Sequence, residues 1–179
     1  MIDKIVSLDE NFSRWLRRFN IASPLKNILR LYTRFGDGFY WLGVAIALMI
    51  FADDGARIVT YGIMGEFFSL IFYWSLKLGL KRRRPYHIYD DIEMGVAPLD
   101  RYSFPSGHTM NNLAPAIIVA SFFAPWVAFV VILIPLSWGL LRIYFGVHFI
   151  SDIIAGFILG CLSAFLGIVL ASNINWPWL

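Results

Sequence analysis

The chain has 179 residues, of which 59% are hydrophobic and only 15% are charged, and its mean hydropathy is +0.66. Soluble domains carry about 45–50% apolar and about 25% charged residues. A water-soluble fold is therefore excluded, and lipid must cover much of the surface. The length suits one domain, residues 1–179. The net charge of +3 in so apolar a chain does not indicate a nucleic-acid partner, and the single Cys161 cannot form an intramolecular disulfide.

Residues 1–35 predict helices that lie in the membrane interface. Apolar and basic residues alternate there at roughly helical spacing, as in interfacial amphipathic helices. Pro24 favours the start of a second short helix over residues 24–35. A spanning helix in this region would bury too many charges. The residues of the pattern are Ile2, Ile5, Val6, Leu8, Phe12, Trp15, Leu16 and Phe19 among Lys4, Arg14, Arg17 and Arg18.

Five apolar segments follow, and they predict an all-α integral membrane bundle over residues 36–179. A helix needs about 20 apolar residues to cross a bilayer, so the first segment, with 14 residues before Asp53, is short. Pro115 and Pro135 lie inside two segments, where spanning helices tolerate proline. We expect about five spanning helices, at residues 39–52, 58–80, 106–124, 126–145 and 148–172.

Five spans also determine which loops share a side of the membrane. The end of the second span, the start of the third, the end of the fourth and the start of the fifth lie on one side. That side receives Lys77, the polar loop 81–105, Arg142 and His148. Most of the charged and reactive side chains are therefore expected at one end of the bundle.

Lys77 and Arg84 are seven residues apart, about two helical turns, and so would share one helix face. Two such cations suit a phosphate, because arginine offers a planar fork and lysine a point charge. Basic residues beside a spanning helix are also common as positive-inside anchors. We favour the anchor interpretation for residues 81–83 and leave both interpretations open for Lys77 and Arg84.

The sequence Pro105-Ser106-Gly107-His108 opens the third span. Free N–H groups and the positive end of the helix dipole make such a start an anion site. Ser106 adds a hydroxyl donor, Gly107 permits close backbone approach, and His108 would stand beside a bound phosphate, ready to give a proton to a departing oxygen. An ordinary helix cap with an incidental histidine is the alternative.

His148 and Asp152 are four residues apart at the start of the fifth span and so share a face. A carboxylate that holds one imidazole nitrogen leaves the other as an attacking lone pair. A satisfied polar pair at a helix end is the alternative, although an acid in an apolar helix is costly and usually functional. Arg142 would be off this face in a continuous helix, but a turn at Gly146 allows it to converge.

Together these three blocks resemble the signature of the type 2 phosphatidic acid phosphatase superfamily. That signature is Lys, six residues, Arg-Pro; then Pro-Ser-Gly-His; then Ser-Arg, five residues, His, three residues, Asp. The serine expected before the third-block arginine is Leu141 here, so a hydroxyl that assists phosphate positioning is missing. The matching residues are Lys77, Arg84, Pro85, Pro105, Ser106, Gly107, His108, Arg142, His148 and Asp152.

The resemblance implies a lipid phosphatase that needs no metal and no cofactor. His148 would be the nucleophile, Asp152 would orient it, and His108 would protonate the leaving oxygen and then activate water. The phosphate would be held by Lys77, Arg84, Ser106, Gly107 and Arg142. Candidate substrates are phosphatidylglycerol phosphate, phosphatidic acid, undecaprenyl diphosphate and lipid A 1-phosphate. Two alternatives remain open: a phosphotransferase with the same histidine intermediate, and a non-catalytic lipid-binding protein.

Three further features carry expectations. His87 is expected to be a solvated loop residue. Glu66, in the middle of the second span, either packs across the bundle or shapes the substrate cleft. Gly156 and Gly160 have the spacing of close helix contacts.

The side of the membrane that carries the site is predicted by two arguments that disagree. The positive-inside rule favours the cytoplasm, since residues 1–37 hold seven basic and four acidic residues. The resemblance to bacterial members implies a plasma-membrane protein with its site on the outer face, and this is the orientation we expect.

Overall fold

The computed structural model describes residues 2–178, and side chains from residue 6 onward. The predicted interfacial positions of the Ile2, Lys4 and Ile5 side chains therefore lie outside the described residues. Over residues 2–178 the chain is helical and contains no strand, which confirms the all-α class. The helices are α1 (Ile2–Arg17), α2 (Ser23–Phe35), α3 (Tyr40–Phe51), α4 (Gly55–Leu80), α5 (Gly107–Ala120), α6 (Pro125–Tyr144) and α7 (Ile150–Ser172), with a 3₁₀ turn at Pro85–His87.

The two N-terminal helices, α1 and α2, turn polar side chains inward and apolar side chains outward. Asp9, Ser13 and Thr33 are buried. Exposed apolar side chains need lipid rather than water, and the interfacial position of α1 and α2 stays a prediction. The exposed apolar side chains are Val6, Leu8, Trp15, Phe19, Leu25, Ile28, Leu31 and Phe35.

Helices stand at all five of the predicted spans, but they differ in length. The three long apolar ones, α4, α6 and α7, are able to cross a membrane by length and composition. Helix α3 has 12 residues, about 18 Å, and is bent by 60° from α2, so the pair α2–α3 is either a broken span or a re-entrant segment. The described residues thus hold three such helices, or four if the bent pair is one span.

Helix α5 has only 14 residues, about 21 Å, and is shorter than the predicted span 106–124. Most of its residues are buried, because it packs against α4, α6 and α7. A Cβ atom at Gly156 or Gly160 of α7 would lie 3.0–3.1 Å from backbone oxygens of Ser106 and Met110. The small-residue spacing therefore serves close packing within this chain.

Two left-handed backbone positions determine where helices end beside the site. Helix α4 ends at Leu80 and is followed by the cap residue Lys81, which has φ 48°. The turn between α6 and α7 contains Gly146 at φ 74°, a conformation that favours glycine. Loop 81–106 folds back over the same end of the bundle, since Gly95 N–H donates to Phe145 O and Ser103 N–H donates to Arg82 O. Lys77, Arg84, His108, Arg142 and His148 therefore meet at one end.

Candidate active site

A cavity of about 480 Å³ opens at this end and continues between α3, α4 and α5. Its upper part is lined by charged and titratable side chains, whereas its deeper part is mainly apolar. Arg84, Gly107, His108, Arg142 and His148 line it directly. The other predicted site residues, Lys77, Ser106 and Asp152, are buried behind this lining.

His148 lies in the turn just before α7, and its ring is held between Asp152 and Arg84. Its Nδ1 is 3.3 Å from Asp152 Oδ2, and its Nε2 is 3.3 Å from Arg84 Nη1. Burial, followed by the charges of Arg84, Arg142 and Lys77, lowers the pKa of His148 well below its usual value. The lowered pKa favours the neutral imidazole, with Nδ1 beside Asp152 and Nε2 beside Arg84.

Asp152, in the first turn of α7, is fully buried and has three kinds of partner. Besides His148, its Oδ2 accepts from the Phe149 N–H at 2.8 Å. Its Oδ1 accepts from Arg82 Nη1 at 2.6 Å. These contacts fix the carboxylate, and through it the orientation of the His148 ring.

Lys77 and Arg84 converge on a carboxylate that the sequence analysis did not single out. Lys77 Nζ is 2.7 Å and Arg84 Nη2 is 2.9 Å from Asp100 Oδ1, and Tyr73 donates to Asp100 Oδ2 at 2.5 Å. Burial alone would raise the pKa of Asp100, but Lys77, Tyr73 and Arg84 lower it below its usual value. An anionic group thus already lies between the two predicted phosphate ligands.

The geometry corrects one expectation about Lys77 and Arg84. Their spacing suggested one continuous helix face, but α4 ends at Leu80. Arg84 lies beyond that end in extended backbone, where it donates to Val147 O at 2.8 Å. The two cations meet through the loop rather than through helical periodicity.

Arg142 is the least compensated cation of the site. It is 3% exposed, it lines the cavity, and its Nε is buried without a hydrogen-bond partner among residues 2–178. A buried charge without a partner is expensive. An anion bound in the cavity would supply the missing partner. Leu141, which replaces the family serine, precedes it in the last turn of α6.

His108 is paired with Asp37, a residue of the α2–α3 hinge. Its Nε2 lies 3.2 Å from Asp37 Oδ1, at ion-pair distance but without the alignment of a hydrogen bond. Asn112 ties hinge and helix together by donating to Gly36 O at 2.9 Å and His108 O at 3.0 Å. The hinge therefore orients His108 at the cavity wall.

Ser106 and Gly107 form the junction that opens α5. Ser106 N–H is bound to Asp152 O at 3.1 Å, and its hydroxyl is 3.4 Å from Thr109 Oγ1. The amide of Ser106 thus supports the fold of the site, while Gly107 and the start of α5 border the cavity. The N-terminal end of α5 is the end whose dipole favours an anion.

Arg82, which the sequence favoured as a membrane anchor, belongs to the site's supporting network. It bridges Asp152 and Asp9 of α1, with Nη2 2.6 Å from Asp9 Oδ2. Asp9, 1% exposed, also accepts from the Ser151 N–H at 2.9 Å and hydroxyl at 2.7 Å. His87, in contrast, is exposed in the loop, as expected.

The acids missed by the sequence analysis come from distant segments. Asp9, Asp37 and Asp100 lie on α1, at the hinge and in loop 81–106. In the sequence, none of the three has a helical or motif spacing to the histidines. The one available signal was that a buried cluster of cations and histidines needs nearby acids.

Comparisons with known proteins place the chain in a family. Residues 56–176 match the family model described as the PAP2 superfamily. An undecaprenyl-diphosphatase of Sulfolobus acidocaldarius is 23% identical over 160 residues, covering 88% of this chain and 76% of the relative. A lipid A 1-phosphatase of Rhizobium johnstonii is 30% identical over 167 residues, covering 77% of this chain and 64% of the relative.

Two crystal structures have a similar fold. LpxE of Aquifex aeolicus matches with a TM-score of 0.82 at 23% identity, over 90% of this chain and 95% of that protein. A PAP2-type phosphatidylglycerolphosphate phosphatase of Bacillus subtilis matches with a TM-score of 0.74 at 25% identity, over 97% of this chain and 89% of that protein.

Proposed function

Because the chain belongs to the PAP2 superfamily, we propose that it hydrolyses a lipid phosphomonoester or diphosphate through a phosphohistidine at His148. Membership confirms the predicted family and, with it, an enzyme of the lipid phosphatase class. What we propose beyond this class is the covalent intermediate, the role of each residue and the substrate.

In the first step, the lone pair of His148 Nε2 attacks phosphorus in line with the bond to the lipid oxygen. The N–P bond forms as the P–O bond breaks, and His108 gives its proton to the departing oxygen. The products are the lipid alcohol, or a lipid monophosphate from a diphosphate, and phosphohistidine. Asp152 holds Nδ1 and stabilises the charge that develops on the ring.

In the second step, His108 accepts a proton from water as the water oxygen attacks phosphorus. The N–P bond breaks, its electron pair returns to Nε2, and inorganic phosphate leaves. The equatorial oxygens would lie in the part of the cavity that is bordered by Arg84, Arg142 and the start of α5. Lys77 is buried behind this lining, where its positive charge would help to stabilise them.

The single observation that carries this proposal is the Arg142 guanidinium. It is buried beside His148 and His108, faces the cavity, and has no carboxylate within ion-pair distance among the described residues. Arginine recognises phosphate oxygens in a bidentate manner. A phosphate group is the partner that such a site lacks.

The apolar depth of the same cavity supports a lipid as the bearer of that phosphate. The relatives act, by their names, on undecaprenyl diphosphate, lipid A 1-phosphate and phosphatidylglycerol phosphate. We include phosphatidic acid as the fourth candidate. The chemistry needs no metal in this scheme, so EDTA is expected to leave the rate intact, whereas vanadate is expected to inhibit.

The test is phosphate release by the purified protein in detergent, with each of the four lipids supplied alone. We expect release from at least one lipid, its loss in His148→Ala, and a nearly equal loss in His108→Ala. The exposed His87→Ala is the matched control and should retain normal activity. Consumption of lipid only when an acceptor lipid is added would instead indicate a phosphotransferase, and normal turnover in His148→Ala would refute the phosphohistidine.

A further inference from the structure

The deeper part of the cavity contains a carboxyl group that the proposed chemistry does not use. Apolar residues such as Leu48, Ile58 and Ile63 line this part, but Glu66 of α4 lines it too. Glu66 Oε2 is buried and has no hydrogen-bond partner among residues 2–178. A carboxyl group in the middle of a spanning helix is costly and usually functional.

A second polar group lies about one turn above Glu66, on the neighbouring helix α5. Asn111 of α5 lines the cavity, and its amide oxygen accepts from the buried Ser69 hydroxyl at 2.9 Å. Ser69 and Glu66 are three residues apart on α4. Glu66 and Asn111 therefore form a polar band in a part of the cavity that is mainly apolar.

The depth of this band follows from helix geometry. Asn111 lies three residues beyond His108 on α5, about 4.5 Å deeper. The Ser69–Asn111 hydrogen bond places Ser69 at the level of Asn111, and Glu66 is about 4.5 Å deeper again. The band thus begins about 4.5 Å below His108 and ends about 9 Å below it.

An entirely hydrocarbon occupant would leave Glu66 unsatisfied, whereas an acyl-linked lipid would not. In such a lipid the first acyl carbonyl follows phosphorus after roughly five bonds, about 6 Å in an extended chain. With the phosphorus atom at the level of His108, the residue proposed to protonate the leaving oxygen, that distance falls inside the band. A carbonyl accepts hydrogen bonds from an amide N–H₂ and from a protonated carboxyl group.

We propose that Glu66 and Asn111 form a subsite for the ester or amide carbonyl of an acyl-linked lipid. The inference rests on the proposed function and narrows its substrate to acyl-linked lipid phosphates. Polyprenyl diphosphates offer isoprene units at the depth of Glu66, and an isoprene unit has no oxygen that could accept a hydrogen bond from the carboxyl group. They are therefore the disfavoured class.

The activity arm of the test compares diacyl phosphatidic acid with its dialkyl ether analogue of equal chain length. The wild-type protein should have the higher kcat/KM on the diacyl lipid. Glu66→Leu should lower kcat/KM on the diacyl lipid about fivefold or more, the effect of one lost hydrogen bond, and leave the dialkyl value nearly unchanged. Glu66→Gln keeps a donor and should retain most of the preference.

Phe67→Leu is the control, because Phe67 is adjacent to Glu66 but is 51% exposed on the outer surface. It should leave both values and their ratio unchanged. An equal loss on both lipids in Glu66→Leu, with phosphate release otherwise intact, would overturn the subsite and leave the proposed function standing.

A binding arm makes the subsite testable apart from turnover. In the His148→Ala background, diacyl phosphatidic acid should raise Tm more than the dialkyl lipid does, and Glu66→Leu should abolish that difference. If the wild-type protein releases phosphate from none of the lipids but the Tm difference is still observed in His148→Ala, the subsite stands and the proposed reaction is refuted. If the two lipids stabilise the protein equally with Glu66 present, the subsite is refuted.

Discussion

At the scale of single residues, the buried acids assign tasks to the two histidines. Asp152 is fully buried and lies beside His148 Nδ1, whereas Asp37 is partly exposed and lies beside His108. A nucleophile needs one fixed tautomer throughout the reaction, while a proton donor must gain and lose its proton. The difference in surroundings agrees with the roles that we propose for the two rings.

Asp152→Asn is expected to preserve the fold and to lower kcat by about 10³–10⁴-fold, as in other orienting-acid variants. The amide can donate to His148 Nδ1 and so hold the wrong tautomer. The measurement is steady-state phosphate release, with the cooperative melting transition as a check on folding. A loss smaller than about tenfold in a well-folded variant would remove Asp152 from the orienting role.

The pH profile of kcat/KM tests the state of His148, because this quantity reports groups of the free enzyme. Burial and the charges of Arg84 and Arg142 lower its pKa, so the neutral nucleophile should persist as the pH falls below 6.5. The acid limb from this residue is therefore expected well below pH 6.5. The ionisation of the lipid phosphate, near pH 6, is measured separately by ³¹P NMR and subtracted. An acid limb of the enzyme, with the rate falling as the pH is lowered through 6.5 or above, would contradict the geometry.

At the scale of helices, α1 is connected to the catalytic end by buried charges. Asp9 binds Arg82 and Ser151, and Arg82 binds Asp152. The polar face of α1 thus faces the site, while its apolar face is exposed where lipid would cover it. The position of α1 and the position of Asp152 are therefore coupled through one arginine, Arg82.

Asp9→Ala is expected to lower kcat about tenfold while KM changes little. The change leaves Arg82 with one carboxylate and Ser151 without its acceptor, which loosens Asp152; a lost hydrogen bond to a charged group has an effect of this size. Glu10→Ala is the matched control on the same helix, since the one ion pair of Glu10 among the described side chains is with the partly exposed Arg14, and such pairs contribute little. Equal effects of the two variants would refute a positioning role for Asp9.

The sequence predicted those parts of the structure that depend on local pattern. Apolar segments gave the approximate places of α3 to α7, and the amphipathic spacing gave α1 and α2. The short length of α5 was not predictable, because Phe122, Phe123 and Ala124 continue the apolar pattern although the helix ends at Ala120. The partners Asp9, Asp37 and Asp100 were missed because they depend on long-range packing of loops and of the N-terminal helices.

At the scale of the whole molecule, the site and the C-terminal residues lie at opposite ends of the bundle. Trp178 donates to Thr60 near the start of α4, whereas the site lies beyond the end of α4. Helices α1 and α2 lie at the site end, through Asp9 and Asp37. Basic residues of the N-terminal region and of the site therefore share one side of the membrane.

We propose that this side faces outward, with the C-terminus in the cytoplasm. A C-terminal green fluorescent protein fusion should be bright, and an alkaline phosphatase fusion at the same place inactive. The same fusions on a chain with an added spanning helix provide the control. Active alkaline phosphatase with dark fluorescent protein on the unaltered chain would place the site in the cytoplasm, as the positive-inside rule favours.

The central claim is that phosphate passes through His148 on its way from lipid to water. It is tested most directly by mixing the purified protein with ³²P-labelled lipid, quenching rapidly, and mapping the labelled peptide by mass spectrometry. We predict an acid-labile, base-stable phosphohistidine at residue 148 that is absent in His148→Ala. Phosphate release at the normal rate with no trapped label, or with the label on a residue other than His148, would contradict the account.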